Sequence, residues 1–199
     1  MIVLDIETSG LNPEKCGIHQ VGAIDLETDE EFFEECRIDN DEEIQEEAMN
    51  VNGMTEEEFR DKNKQSQKEI FKNFFKWIGK RKIKNFICQN PQFDIGFLNI
   101  KSEKYGLEKP YPYRAFDLHT LGQAVYYKKY GKFLTEEGKS GMGLSKILEM
   151  TGRKDERIQL KGGKIIKKGK PHNAIEDARL EAECFKKLLE ELNAGENKK

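Results

Sequence analysis

Two carboxylates two positions apart on a β-strand leave the same face of it, and the opening segment MIVLDIE carries such a pair in Asp5 and Glu7. Side by side near a strand end they repel unless a cation neutralises them, and hard divalent ions such as Mg²⁺ or Mn²⁺ suit oxygen clusters of this kind. A third carboxylate, Asp94, lies in QNPQFDIGFL, in the first turn of a helix whose start is marked by Pro91. It meets the first pair if the two strands concerned are neighbours. The segment PHNAIEDARL, residues 171–180, supplies the rest. Asn173 and Glu176 stand in the N-cap and N3 relation of a capping box, so a helix starts at Ala174. That register puts His172 on the loop just before the helix and Asp177 one turn in, where Ile175 and Ala178 place it on the inward edge. A loop histidine beside an inward acid can activate water next to a metal. Each feature also has a plain structural reading. Charged chains produce Asp-x-Glu pairs by chance, helix dipoles favour acids in a first turn, and single histidines often pack.

The elements that must position these residues follow from periodicity and turn chemistry. Residues 2–7, 18–26 and 31–38 read as strands of an N-terminal meander, the last two separated by Glu27-Thr28-Asp29. Helical signals cover 41–50. A turn follows at Asn52-Gly53, then a capping box at Thr55–Glu58. Residues 66–79 form a helix whose apolar face holds Ile70, Phe71, Phe74, Phe75, Trp77 and Ile78, expected in the core. A fourth strand at 84–90 leads into a helix from Pro91 to about Tyr105; a short strand at 114–118 precedes a helix at about 119–130. The glycine-rich stretch 131–171 is an irregular basic insertion, with a short helix at 143–151 and a hairpin, or loop, about Gly162-Gly163. The last helix runs over about 174–193, and 194–199 reads as a disordered tail. The order βββ-α-β-α-β-α indicates a single α/β domain, residues 1–193, with a mixed sheet.

Composition bounds the function. The chain has 199 residues, ample for a core. No apolar run nears the roughly 20 residues of a membrane span, and the N-terminus lacks a basic leader pattern. The four cysteines are scattered without a CxxC pair, which fits neither a disulfide framework nor a zinc ribbon. A soluble, cytoplasmic protein with no membrane partner is expected. The net charge of -3 conceals a split: residues 25–61 hold 17 acids and two bases, and 62–170 hold 26 bases and 10 acids. Within the latter, 153–170 has eight bases and two acids immediately before His172, and is expected either to grip a phosphate backbone or to form a solvated loop. His19 is expected to pack inside the second strand. His119, beside Asp117, either packs or supports the site.

Taken together, DIET at 5–8, QNPQFD at 89–94 and HNAIED at 172–177 resemble the DEDD exonuclease superfamily, and the His-x-x-x-x-Asp form of the third segment resembles its DEDDh branch. That branch includes proofreading epsilon-type subunits, ribonuclease T and oligoribonuclease, and DIETSGL, VNGMT at 51–55 and the closing HNAIEDARLEAECFKKLL also resemble epsilon-type domains. The resemblance spans residues 1–192 and implies an RNase H-like fold with a five-stranded mixed sheet flanked by helices. It implies that Asp5, Glu7, Asp94 and Asp177 hold two Mg²⁺ or Mn²⁺ ions, with Asp5 bridging and Asp94 acting largely through water, and that His172 is the general base. It implies hydrolysis from the 3′ end of single-stranded DNA or RNA with release of nucleoside 5′-monophosphates, and admits a polymerase or repair partner. By position, Thr8 and Leu11 would contact the terminal nucleotide, Leu11 as an apolar wedge, while Asn90 and Phe93 would line the sugar pocket. Gln89 and Asn52 depart from the histidines common in relatives, which leaves substrate preference open. A catalytically silent nucleic-acid-binding or adaptor module of the same fold would be expected to lack an acidic ligand; all five residues are present here. Spacing says nothing of DNA against RNA or of oligomeric state.

Overall fold

Strand β1 (Ile2–Thr8) is the axis of the molecule. In the computed structural model, which describes residues 1–194, it pairs antiparallel with β2 (Ile18–Asp25) and parallel with β4 (Phe86–Cys88). With β3 (Glu31–Glu35) and β5 (Phe116–Asp117) at the edges, the order is β3-β2-β1-β4-β5, a mixed five-stranded sheet. The period-two alternation of β1 decides what each face carries. Ile2, Leu4 and Ile6 pack on one side against α3 (Gln67–Gly79) and α4 (Pro91–Tyr105), through Phe71, Phe74, Phe97 and Leu98. Val3 starts the other face, covered by α5 (Leu118–Tyr130), α6 (Leu144–Met150) and α7 (Ala174–Asn193). Asp5 and Glu7 continue that second face towards α7, where the apolar cluster ends.

Three local devices bring the remaining candidates to this spot. Strand β4 pairs with β1 only at Ile2 and Val3, so the β1 edge beyond them is open. The chain turns out of β4 through Asn90, whose φ of 64° and ψ of 66° are left-handed, and Pro91 then opens α4. Helix α7 crosses β2 at Gly22, where a Cβ would lie 2.2 Å from the Ala174 carbonyl carbon. Glycine is therefore required for the N-terminus of α7 to reach the sheet. That terminus is capped twice: the Asn173 side chain accepts from the Glu176 N–H at 3.2 Å, and Gln20 Oε1 accepts from the Ala174 N–H at 3.1 Å. The N-cap bond is as expected, without the reciprocal half of a capping box.

Elsewhere the elements are shorter than their sequence patterns. The expected helix at 41–50 is instead α1 (Glu46–Asn52), because buried Glu42 is spent on Lys101, Gln67 and the Asp39 N–H. Gly53, with φ 62°, ends α1, and the box at Thr55–Glu58 starts the short α2 (Glu56–Phe59). The strand expected at 31–38 stops at Glu35, that at 84–90 shrinks to Phe86–Cys88, and that at 114–118 to Phe116–Asp117. The irregular region contains an unforeseen hairpin, β6 (Thr135–Glu136) with β7 (Lys139–Ser140), and the expected one, β8 (Gln159–Lys161) with β9 (Lys164–Lys167), turning at Gly162-Gly163. Of the expected tail, residues 195–199 lie outside the described residues. Among the described residues no helix is long and apolar enough to cross a membrane. The four cysteines are buried, free thiols.

Candidate active site

Where the β1 edge is open, Asp94 takes the place of the missing strand. Its Oδ1 accepts the Ile6 N–H at 3.3 Å, which seats a first-turn side chain of α4 directly beside Asp5 and Glu7. Asp177, 3% exposed, arrives from the first turn of α7. His172 precedes that helix on a loop anchored by its N–H to the Val51 carbonyl at 2.9 Å. Its Nδ1 lies 3.5 Å from Asp177 Oδ2, and its Nε2 lies 2.9 Å from the Ile158 carbonyl oxygen. Since a carbonyl only accepts, Nε2 carries a proton in this contact, and Nδ1 is the nitrogen turned towards the acids.

The acids share a cleft of about 860 Å³, lined also by Thr8, Leu11, Phe93, Arg157 and Leu160. Thr8 is buried and donates through Oγ1 to the Gly10 carbonyl at 2.8 Å, while Leu11 is 76% exposed at the rim. Phe93 packs against the Phe97 ring in a tilted pair with centroids 5.0 Å apart. Asn90 is not among the lining residues: the left-handed turn leaves it exposed, and its N–H reaches Asp117 Oδ1 at 3.3 Å. Asp117 also caps α5 through the His119 N–H, so this acid holds the turn that delivers Asp94. His119 meets Ser140 Oγ at 2.7 Å, outside the acid cluster. His19 is fully buried against the Phe59 ring, where burial lowers its pKa to about 3 and keeps it neutral.

Two residues of the cluster escape the motif reading. Glu181, 1% exposed and one helical turn beyond Asp177, faces the same site and accepts the Gln89 N–H at 3.2 Å. The i, i+4 spacing within an amphipathic helix was the available signal. Arg157 belongs to the basic stretch, but its Nη1 donates to Asp177 Oδ2 at 2.8 Å. The stretch is therefore not uniformly directed to solvent; Lys161 and Lys164 on the hairpin and Lys168 just after it are exposed, while Arg157 turns inward.

Burial, then mutual repulsion, raises the pKa of the acids. Asp5 stands well above the usual carboxylate range, through desolvation and then the charge of Glu7. Glu7 and Glu181 are raised in the same way, and desolvation lifts Asp94 to about 7. Asp177 is raised by burial too, with Arg157 and His172 pulling against that effect. Asp5 Oδ2 is buried without a hydrogen-bond partner. Glu7, His172 and Asp177 each place a potential ligand atom within 4.8 Å of the others. An orphaned carboxylate oxygen amid further carboxylates fits a hard divalent cation.

A pH dependence follows. Acids with raised native pKa values bind more protons folded than unfolded, so stability falls as pH rises from their ordinary values near 4 through the native value of about 7 for Asp94. Chelator-treated protein is expected to melt at lower temperature at pH 8 than at pH 5.5. Added Mn²⁺ is expected to raise the melting temperature more at pH 8. Calorimetric melts with and without the ion check both signs.

Solved structures with this architecture include E. coli exonuclease I in complex with a dT13 oligonucleotide (TM-score 0.69, 19% identity, 95% of this chain and 40% of that chain). A zinc-ion-bound form of the E. coli exonuclease I–single-stranded DNA complex gives 0.68 at 19% identity, over 98% of this chain and 41% of that one. The likeness defines the fold as RNase H-like, with the five-stranded sheet flanked by helices. The sequence itself matches the RNase_T family, described as exonuclease, over residues 2–185, and the chain belongs to that family. It is 26% identical over 192 residues to the PolC-type DNA polymerase III of Thermotoga petrophila, covering 95% of this chain but only 12% of that protein's length. It is 24% identical over 147 residues to ribonuclease T of Vibrio parahaemolyticus, covering 63% of this chain and 66% of that protein.

Proposed function

We propose that this chain is a DEDDh-type 3′–5′ exonuclease that removes nucleoside 5′-monophosphates from 3′ ends of single-stranded DNA or RNA. The observation that carries the reading is the convergence of Asp5, Glu7, Asp94 and Asp177 with a loop histidine on one cleft, in a chain of an exonuclease family. Those four carboxylates would hold two Mg²⁺ or Mn²⁺ ions, which when bound stabilise charge on attacking and leaving oxygens of an in-line displacement. The remaining work belongs to the chain. With Nε2–H held by the Ile158 carbonyl, His172 takes the proton of the attacking water at Nδ1, and Asp177 beside it stabilises the imidazolium formed. Exposed Leu11 would offer an apolar surface to the terminal base, in a cleft that Thr8 and Phe93 also line. Exposed Lys161, Lys164 and Lys168, in the basic stretch before His172, would draw a polyanion through counterion release.

Product analysis tests the reaction class. Chromatography of a digested oligonucleotide is expected to show nucleoside 5′-monophosphates, and a covalently closed single-stranded circle is expected to persist. Internal cuts in the circle would make the chain an endonuclease. Intact linear and circular strands in either ion would favour a silent binding module.

A further inference from the structure

Arg157 is held in place before any ligand arrives. Its Nε and Nη2 donate to the two oxygens of Asp155 at 3.0 and 3.1 Å, and its own N–H donates to Asp155 Oδ1 at 3.0 Å. Asp155 is 7% exposed and is fixed in turn by the Ser145 hydroxyl at 2.6 Å and the Gln159 amide at 3.1 Å. The backbone is locked as well: Lys170 N–H donates to the Glu156 carbonyl at 2.9 Å, and Ile158 N–H to the Lys170 carbonyl at 2.9 Å. Gly169 lets the two segments close, since a Cβ there would lie 2.2 Å from the Glu156 oxygen. The third arm of this clamped guanidinium bonds Asp177 Oδ2, the same oxygen that lies 3.5 Å from His172 Nδ1.

A carboxylate bonded to a fixed guanidinium offers fewer lone pairs and less charge to a second cation. We infer that Arg157 is a resident counter-charge of the acidic centre that must release Asp177 when a divalent cation binds, so that metal occupancy is coupled to the setting of the β8–β9 hairpin. The inference rests on the metal-binding reading of the site. It makes the hairpin that walls the cleft through Leu160 and Gly163 responsive to the ion. Coupling is reciprocal: what the ion must displace must also weaken the ion.

Titration calorimetry of the full, metal-free chain with Mn²⁺ tests this. Arg157→Gln is expected to bind Mn²⁺ about tenfold more tightly, within the range of typical coupled sites, and to melt at lower temperature without metal. Arg157→Lys, which keeps a charge but cannot fork between Asp155 and Asp177, is expected to fall between. Unchanged or weaker affinity in folded Arg157→Gln protein overturns the inference. Wild-type protein that binds no Mn²⁺ overturns the metal reading beneath it, a distinct result. A measurement on wild-type protein alone decides if the variants do not fold. Mn²⁺ is expected to speed hydrogen exchange of the 157–161 amides several-fold, and unchanged or slower exchange overturns the coupling.

Discussion

Asp5→Ala protein is expected to lose turnover by at least about 10³-fold, equivalent to about 4 kcal/mol of transition-state stabilisation, and to bind Mn²⁺ far more weakly. The position of Asp5 explains why the effect should be so large. Its Oδ2 is buried and accepts no hydrogen bond from the protein, which leaves it available to a cation. It is crowded by Glu7, Asp177, Glu181 and Asp94, all of which raise its pKa. Alanine removes both a ligand and one source of this repulsion. The metal-free variant is therefore expected to melt no lower, and at pH 8 higher, than metal-free wild type. That opposite movement of stability and activity separates loss of a ligand from loss of the fold. Single-turnover rates and chelator-treated melts read the two quantities. A variant with wild-type turnover would remove Asp5 from the metal centre.

His172→Ala is expected to lower kcat by about 10²–10⁴, the usual range for loss of a general base, while Mn²⁺ affinity stays near wild type. The histidine touches the cluster through one nitrogen, and its other nitrogen is committed to the Ile158 carbonyl. The pH profile discriminates a proton acceptor from a packing residue. The acidic limb of wild-type kcat should disappear in the variant, whereas a purely positional defect would lower the whole profile and keep its shape. An unaltered kcat would take the base assignment away from His172.

How much of this was legible in the chain depends on the range of the interactions involved. Asp5 and Glu7 could be placed on one face because strand alternation is local. The same is true of Asn173 as the cap that orients Asp177. The helix-facing aromatics Phe71 and Phe74 followed from a 3.6-residue period and are core. The meeting of Asp94 with β1 was not legible without the family resemblance, because it depends on β4 ending at Cys88 and exposing the Ile6 N–H. Glu181 lay on the right helical face, but its burial depends on the Gln89 amide of a distant turn. The placement of Asn90 and Arg157 is not local either. Nothing local announces that a left-handed turn leaves Asn90 exposed outside the cleft, or that one base of a basic run is drawn inward by Asp155 and Asp177.

The most direct measurement is the digestion of a 5′-labelled single strand, run in parallel as matched DNA and RNA from dinucleotide to long oligomer, with Mg²⁺, Mn²⁺ or chelator. Stepwise ladders that shorten from the 3′ end, present with an ion and absent with chelator, are the expected result. The relative rates on the two sugars would then assign the preferred substrate. Full-length strands in both ions, with freshly folded protein at high concentration, would mean that the carboxylate cluster of Asp5, Glu7, Asp94 and Asp177 does not hydrolyse nucleic acid.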